Sequence, residues 1–295
     1  MRIGLLGTGP WAHTAYAPAL SGHPGVEFAG VWGRRPEAAT ALADEYGVPA
    51  YDDVDALLAD VDAVALALPP SVQAELAVRA ARAGRHLLLD KPLGVAVAEG
   101  RAVLAAAERA GVASVVFFTA RFQKEPEAWI EEQAAVTGWF TARAQWLGAV
   151  FTSDSPFASS PWRREKGALW DVGPHALSVL LPVLGDVRQV VAAVHGPADT
   201  VHLVLDHATG ASSTLTLSLT APPAAAGADV ELRGEAGVAL LPGSSEGAVP
   251  ALVRAVDALL TAARTGRPHA CDAAFGLRVT EILATAQARL AADGN

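Results

Sequence analysis

Three side chains in the sequence could together handle a proton and a developing negative charge: Lys91, Asp171 and His175. Imidazole is the side chain whose ordinary pKa lies nearest neutral pH, so His175 is the candidate general base for a substrate hydroxyl. Asp171 stands four residues earlier, where one helical turn would bring both side chains to the same face, with Pro174 tolerated in the first turn. From there it would orient substrate hydroxyls or stabilise the imidazolium. Lys91 would hydrogen-bond the reacting oxygen and stabilise the charge that grows on it. That is the equipment of hydride transfer to or from an alcohol. Taken singly, each residue has a plainer explanation: Lys91 as a strand-end side chain reaching water, Asp171 as a helix N-cap, His175 as a half-buried ring bonded to backbone.

The elements that must position these groups follow from apolar periodicity. Ile3 to Leu6, Val26 to Trp32, Val61 to Leu68, His86 to Leu89 and Ala113 to Phe118 read as strands. Between them, Ala12 to Leu20, Pro36 to Tyr46, Val54 to Leu58, Val72 to Ala83 and Val97 to Ala110 carry helical spacing, with Gly47, Gly84 and Gly111 as stops. Strand and helix in alternation predict a doubly wound parallel sheet. From about residue 137 the pattern changes to alternating segments, Trp139 to Leu147, Val187 to His195, Thr200 to Asp206, Ser212 to Leu219 and Val230 to Arg233, which predict an antiparallel or mixed sheet. Helices are expected over Asp171 to Leu184, Val249 to Arg264 and Ala273 to Ala291. The domains expected are 1–119 and 120–295, with the final helix, 273–291, a candidate to pack back on the first.

At the first strand-to-helix turn stands Gly7-Thr8-Gly9-Pro10-Trp11-Ala12, a G-x-G-x-x-A fingerprint. The first glycine permits a tight turn, the second lets backbone approach a pyrophosphate, and Ala12 permits close helix-to-strand packing. The helix N-terminus adds free N–H groups and a partial positive charge. Where an NAD-preferring fold usually presents a carboxylate to the ribose, this sequence has Gly33-Arg34-Arg35, and two guanidiniums favour the 2′-phosphate of NADP over NAD. The alternative is that Arg34 and Arg35 are solvated turn residues, or that Arg34 stacks on the adenine. In an open parallel sheet, ligands bind at the carboxyl ends of strands. Lys91, in Leu89-Asp90-Lys91-Pro92, is therefore expected to project toward the nicotinamide, and the acid–imidazole pair to meet it there.

The composition narrows the partners. A formal net charge of −9 argues against a phosphate-backbone surface, so small molecules are the expected partners rather than nucleic acid. Cys271 is the only cysteine, which excludes an internal disulfide and a thiolate cluster. No third ligand accompanies Asp171 and His175 at a metal-binding spacing, so no metal is expected; His195, His202 and His207 read as structural or exposed. Hydrophobic residues make up 52% of the 295, yet charges, Gly and Pro interrupt them, and no bilayer-spanning run is expected. With no secretory pattern at the N-terminus, the cytoplasm is the default compartment.

The fingerprint, the Asp-Lys-Pro segment, Asp-x-Gly-x-His at 171–175 and Arg-Thr-Gly-Arg-Pro at 264–268 together resemble the Gfo/Idh/MocA family, the glucose-fructose oxidoreductase and inositol dehydrogenase group. The resemblance implies an N-terminal Rossmann domain, a C-terminal α/β domain whose large, mostly antiparallel open sheet forms the subunit interface of a dimer or tetramer, and oxidation or reduction of sugars and cyclitols with NAD or NADP. Lys91, Asp171 and His175 match the family's catalytic lysine, acid and histidine, with Asp90 in place of a glutamate. Leu68-Pro69-Pro70, Gln73 and Asp90 look like cofactor contacts, and Arg121-Phe122 and Trp162-Arg163 like substrate contacts. Departures stand at Gln73 (often His), Leu68 (often Thr), Lys166-Gly167 (often a glycine run) and Ser178 (often Asp), which set the substrate apart from those of the best-known members. Trp11 and Trp170 would narrow the site, stack on a ring, or fill core. Alternatives are a non-catalytic dinucleotide-responsive protein and a reductase of C=N or C=C bonds.

Overall fold

The parallel sheet expected from residues 1–118 forms with six strands in the computed structural model, which describes residues 1–293. They are β1 (Arg2–Leu6), β2 (Glu27–Trp32), β3 (Ala50–Tyr51), β4 (Ala63–Leu66), β5 (His86–Asp90) and β6 (Ser114–Phe117), in the order β3-β2-β1-β4-β5-β6. All pairs are parallel. The strands read as unbroken apolar runs because helices cover both faces; β4 and β6 are buried at every residue. The helices include α1 (Ala17–Gly22), α2 (Pro36–Tyr46), α3 (Val54–Asp60), α4 (Pro70–Arg82) and α5 (Val97–Ala110). Two of them, α2 and α5, stop where the sequence says they should, because Gly47 and Gly111 each take φ of 64°, open to glycine at no steric cost. The strand β3, two residues long, is too short to leave a periodic signal.

The chain folds as two units, and their boundaries differ from the expected division at 119 and 120. One unit is Met1–Phe122 with Glu246–Arg278; the other is Gln123–Ser245 with the residues from Val279 onward. The returning segment carries α9 (Ala248–Thr265), whose Leu252, Ala255, Val256 and Leu259 are fully buried against β5, β6 and α1. An apolar helix face is satisfied by any apolar sheet face, and sequence order does not say which.

The second unit holds a six-stranded mixed sheet: β7 (Trp139–Leu147), β8 (Val187–His195), β9 (Val201–His207), β10 (Ser212–Ser218), β11 (Gly227–Gly234) and β12 (Gly237–Leu240), ordered β12-β11-β7-β10-β9-β8. Only β7 and β10 run parallel. Three helices, α6 (Lys124–Ala134), α7 (Pro161–Asp171) and α8 (Gly173–Leu184), belong to this unit, as does most of α10 (Ala273–Asp293). In α8 ten of twelve residues are buried, which makes it the core helix. The stretch Pro161–Leu184, 24 residues with a window of mean hydropathy 1.3, reaches the length and apolarity of a membrane span, contrary to expectation, but 83% of that window is buried inside the protein. Gly167, at φ 65° and ψ −165°, also breaks the helix within it.

Candidate functional site

In the first unit the dinucleotide fingerprint takes the geometry its residues predict. Gly7 has φ of +129°, and a Cβ there would lie 2.3 Å from the Ala67 carbonyl oxygen, so only glycine fits. A Cβ at Gly9 would meet nothing within 4 Å, which leaves the backbone open to a phosphate group. Thr8 packs beneath Gly33, where a Cβ would come within 2.6 Å of its methyl. Helical backbone begins at residue 10, with the His13 N–H donating to the Gly9 carbonyl at 3.2 Å and Trp11 half-buried at the start. The expected plain helix over 12–20 is instead π-helical over Ala12–Tyr16, then α1. Pro18 has no N–H to give the Thr14 carbonyl, and widening the turn lets the Ala17 N–H reach Ala12. Tyr16, at the end of this turn, is fully buried and its hydroxyl has no hydrogen-bond partner among the described residues. Burial pushes its pKa well up, and the nearby Asp90 carboxylate adds to the shift.

Arg34 and Arg35 are exposed between β2 and α2, at the same carboxyl edge of the sheet. Leu68 and Pro69 are half-buried beyond β4, and Pro70 opens α4. Leu6, Leu66 and Leu89 stand in register across β1, β4 and β5, so Gly7 and Asp90 leave the sheet two strand spacings apart, roughly 10 Å. The residues present fit a dinucleotide: an open glycine turn at a helix start, cations where a ribose phosphate would lie, and Lys91 on the neighbouring edge.

The Asp90-Lys91-Pro92 turn is held from beneath by Gln73. This side chain, 1% exposed, donates from Nε2 to the Asp90 carbonyl at 2.7 Å and to the Pro92 carbonyl at 3.1 Å, and its Oε1 accepts from the Asp90 N–H at 2.8 Å. The Lys91 N–H donates to the Asp90 carboxylate at 3.0 Å, Lys91 is half-buried, and the Lys91–Pro92 peptide bond is cis. Both ends of the Gln73 amide are thus engaged by backbone, a different placement from the cofactor contact expected of it. Arg121 sits in a 3-10 turn over the Phe275 ring at 5.7 Å.

In the second unit the acid and the imidazole do not share one helical turn. Asp171 is the last residue of α7, Val172 caps it, and α8 begins at Gly173, so Asp171 is no N-cap and the four-residue spacing crosses a helix junction. Pro174, without an N–H, cannot continue the α7 ladder, and α8 starts afresh around it. Asp171 is 4% exposed, and Arg163 donates to it from Nε at 2.8 Å. The Arg163 guanidinium also lies over the rings of Trp162 (4.7 Å) and Phe157 (4.5 Å). Thus Trp162 and Arg163, expected at the substrate, are part of the frame around Asp171. The His175 ring stacks on Trp146 of β7, centroids 5.3 Å apart and 12° between planes, and Ser178 donates to the His175 carbonyl at 2.7 Å. Sequence reading did not single out Trp146; on a strand it looks like any alternating aromatic. Trp170, 2% exposed with its indole N–H donating to Gln287, fills core, so it neither stacks on a ligand nor narrows a site.

A glycine turn opening a Rossmann sheet, followed by a helix-on-sheet unit with a framed acid and imidazole, defines a dinucleotide-dependent oxidoreductase. Residues 1–118 match the family described as "Oxidoreductase family, NAD-binding Rossmann fold", and residues 142–240 match the "GFO/IDH/MocA C-terminal domain". The chain belongs to the Gfo/Idh/MocA oxidoreductase family and is an NAD(P)-dependent oxidoreductase. Its relatives include D-xylose 1-dehydrogenase (NADP(+)) 2 of Haloferax volcanii, 31% identical over 75% of this chain and 70% of that one. UDP-N-acetylglucosamine 3-dehydrogenase of Acidithiobacillus ferrooxidans is 28% identical over 99% and 97% of the two chains. The fold is shared with levoglucosan dehydrogenase in its complex with NADH and L-sorbose, TM-score 0.85 at 20% identity over 99% and 96% of the chains.

Proposed function

We propose that the protein transfers hydride between NADP, in preference to NAD, and a sugar, cyclitol or related polyhydroxylated substrate. The observation that carries this reading is the carboxyl edge of the parallel sheet, where one row of register brings the open glycine turn and the Lys91 turn to the same edge, two strands apart. When bound, the nicotinamide supplies the carbon that accepts or gives hydride. Lys91 hydrogen-bonds the reacting oxygen through Nζ and stabilises charge on it as the C–H bond breaks. His175 takes the hydroxyl proton in the oxidative direction and returns it in the reductive one. Asp171 orients a neighbouring hydroxyl and steadies the charged imidazole, which its own pairing with Arg163 holds it ready to do. Two exposed arginines after β2 support NADP, since a guanidinium matches the 2′-phosphate.

Replacing Lys91 with Met should abolish turnover in a panel of sugars and polyols while nicotinamide fluorescence still reports binding of NADPH, more tightly than NADH; near-normal turnover would remove Lys91 from the mechanism. The relatives' activities speak for this enzyme rather than for a non-catalytic dinucleotide-binding protein. Five large apolar side chains, Phe140, Val191, Val194, Val238 and Leu240, are exposed on β7, β8 and β12. They support a homodimer or homotetramer formed through this sheet, which sedimentation velocity would measure. The cytoplasm, where reduced NADPH is supplied, is the compartment this reading implies.

A further inference from the structure

We infer that Gln73 is a positioning residue for Lys91 and not a ligand of the cofactor, an inference that rests on the reading of Lys91 as the catalytic lysine. The amide grips the backbone on both sides of that lysine: two carbonyls, of Asp90 and Pro92, accept from Nε2, and the Asp90 N–H donates to Oε1. A primary amide is the side chain that can give two donors to carbonyls and take one backbone N–H at the same point. Glutamate would set a carboxylate against two carbonyl oxygens, and methionine of similar length would offer no hydrogen bond at all. The residue is 1% exposed, so these bonds lie out of water, and the buried N–H and carbonyls have much to lose if the amide goes. What Gln73 fixes is the path of the chain through residue 91. The Lys91 Cα is pinned at both flanks while its side chain stays half-exposed for work.

The low lysine count makes this testable without relying on catalysis. Lys91, Lys124 and Lys166 are the only lysines, so trace acetylation with acetic anhydride, read peptide by peptide in a mass spectrometer, gives the reactivity of Lys91 against two internal standards. In Gln73→Met the labelling rate of Lys91 should change by about threefold or more, with Lys124 and Lys166 unchanged and the NADPH dissociation constant within about twofold of wild type. A displacement of order 1 Å at a reacting group costs roughly a hundredfold in kcat, so turnover should fall by about that factor with little change in KM. Gln73→His, which keeps a ring donor for one carbonyl, should fall between the two and also serves if Gln73→Met does not fold. Unchanged Lys91 labelling in either variant overturns the proposal. So does a loss of NADPH affinity that matches the loss of turnover, since Gln73 would then be a cofactor contact. Lys91→Met, assayed in parallel, fails separately: if it retains activity the catalytic reading falls, while the labelling still decides what Gln73 holds.

Discussion

The two units of the molecule fix the residues proposed for catalysis by different means. In the first, the Lys91 turn is held by a neutral amide whose hydrogen bonds go to backbone. In the second, Asp171 and His175 are held by their own side chains, the carboxylate by a guanidinium and the ring by an indole. Neutral hydrogen bonds contribute about 1 kcal/mol each and pin a path, whereas a buried charge needs its counter-charge or becomes a liability. A lysine at the end of a strand can be placed through its backbone; an acid and an imidazole proposed to face a substrate need walls.

The sharpest way to break this contrast is Arg163→Met. With the Asp171 carboxylate 5% exposed and the Arg163 cation removed, stability should fall by about 3 kcal/mol in chemical denaturation. Asp171→Asn in the same background should recover most of that loss, because the charge that Arg163 offset is then gone. A loss below about 1 kcal/mol would mean the pair is no more than a surface bridge.

Trp146→Ala tests the other wall. Freed from its stack, His175 should lose roughly tenfold in kcat, about 1.4 kcal/mol, and the pH profile of turnover should move. Trp146→Phe should restore both. An unmoved profile would reduce Trp146 to packing.

A smaller effect comes from His207, fully buried, whose Nδ1 faces the Gly185 carbonyl at 2.9 Å and whose Nε2 faces the Ser213 hydroxyl at 2.8 Å. The carbonyl fixes a neutral ring with its proton on Nδ1 and Ser213 donating to Nε2. Burial lowers its pKa, so the unfolded chain takes up this proton at higher pH than the folded one. The contribution to stability is therefore intact above about pH 6.5 and is lost as pH falls below that toward the folded pKa. Denaturation midpoints measured from pH 7.5 to 5 should decline, and His207→Gln should flatten the decline.

The smallest expected change returns to the first unit. Tyr16→Phe removes a buried hydroxyl that has no partner among the described residues, so stability should hold or rise by about 0.5 kcal/mol. A clear loss would show that the hydroxyl is engaged in solution.

Much of the architecture was legible because it is written in local rules. The fingerprint at 7–12, the glycine stops at 47 and 111, and the matched bounds of α2, α5, β7 and β8 depend on neighbours in sequence. The helix break at 171–173 was misread because Asp and His four apart look like one turn until Gly167 and Pro174 are seen to reset the ladder. Gln73 read as a departure from a family pattern and a cofactor contact, since its hydrogen bonds reach a segment seventeen residues away.

By itself, the sequence determined the parallel sheet and the glycine turn and offered the three residue types of the proposed chemistry, since backbone freedom, periodicity and ordinary pKa belong to residues and short segments. Only the tertiary structure decided that 246–278 returns to the first unit, that Arg163 pairs with Asp171 and that Trp146 faces His175. Those outcomes depend on which of several apolar faces and counter-charges come together in space, and burial sets no preference for partners near in the chain.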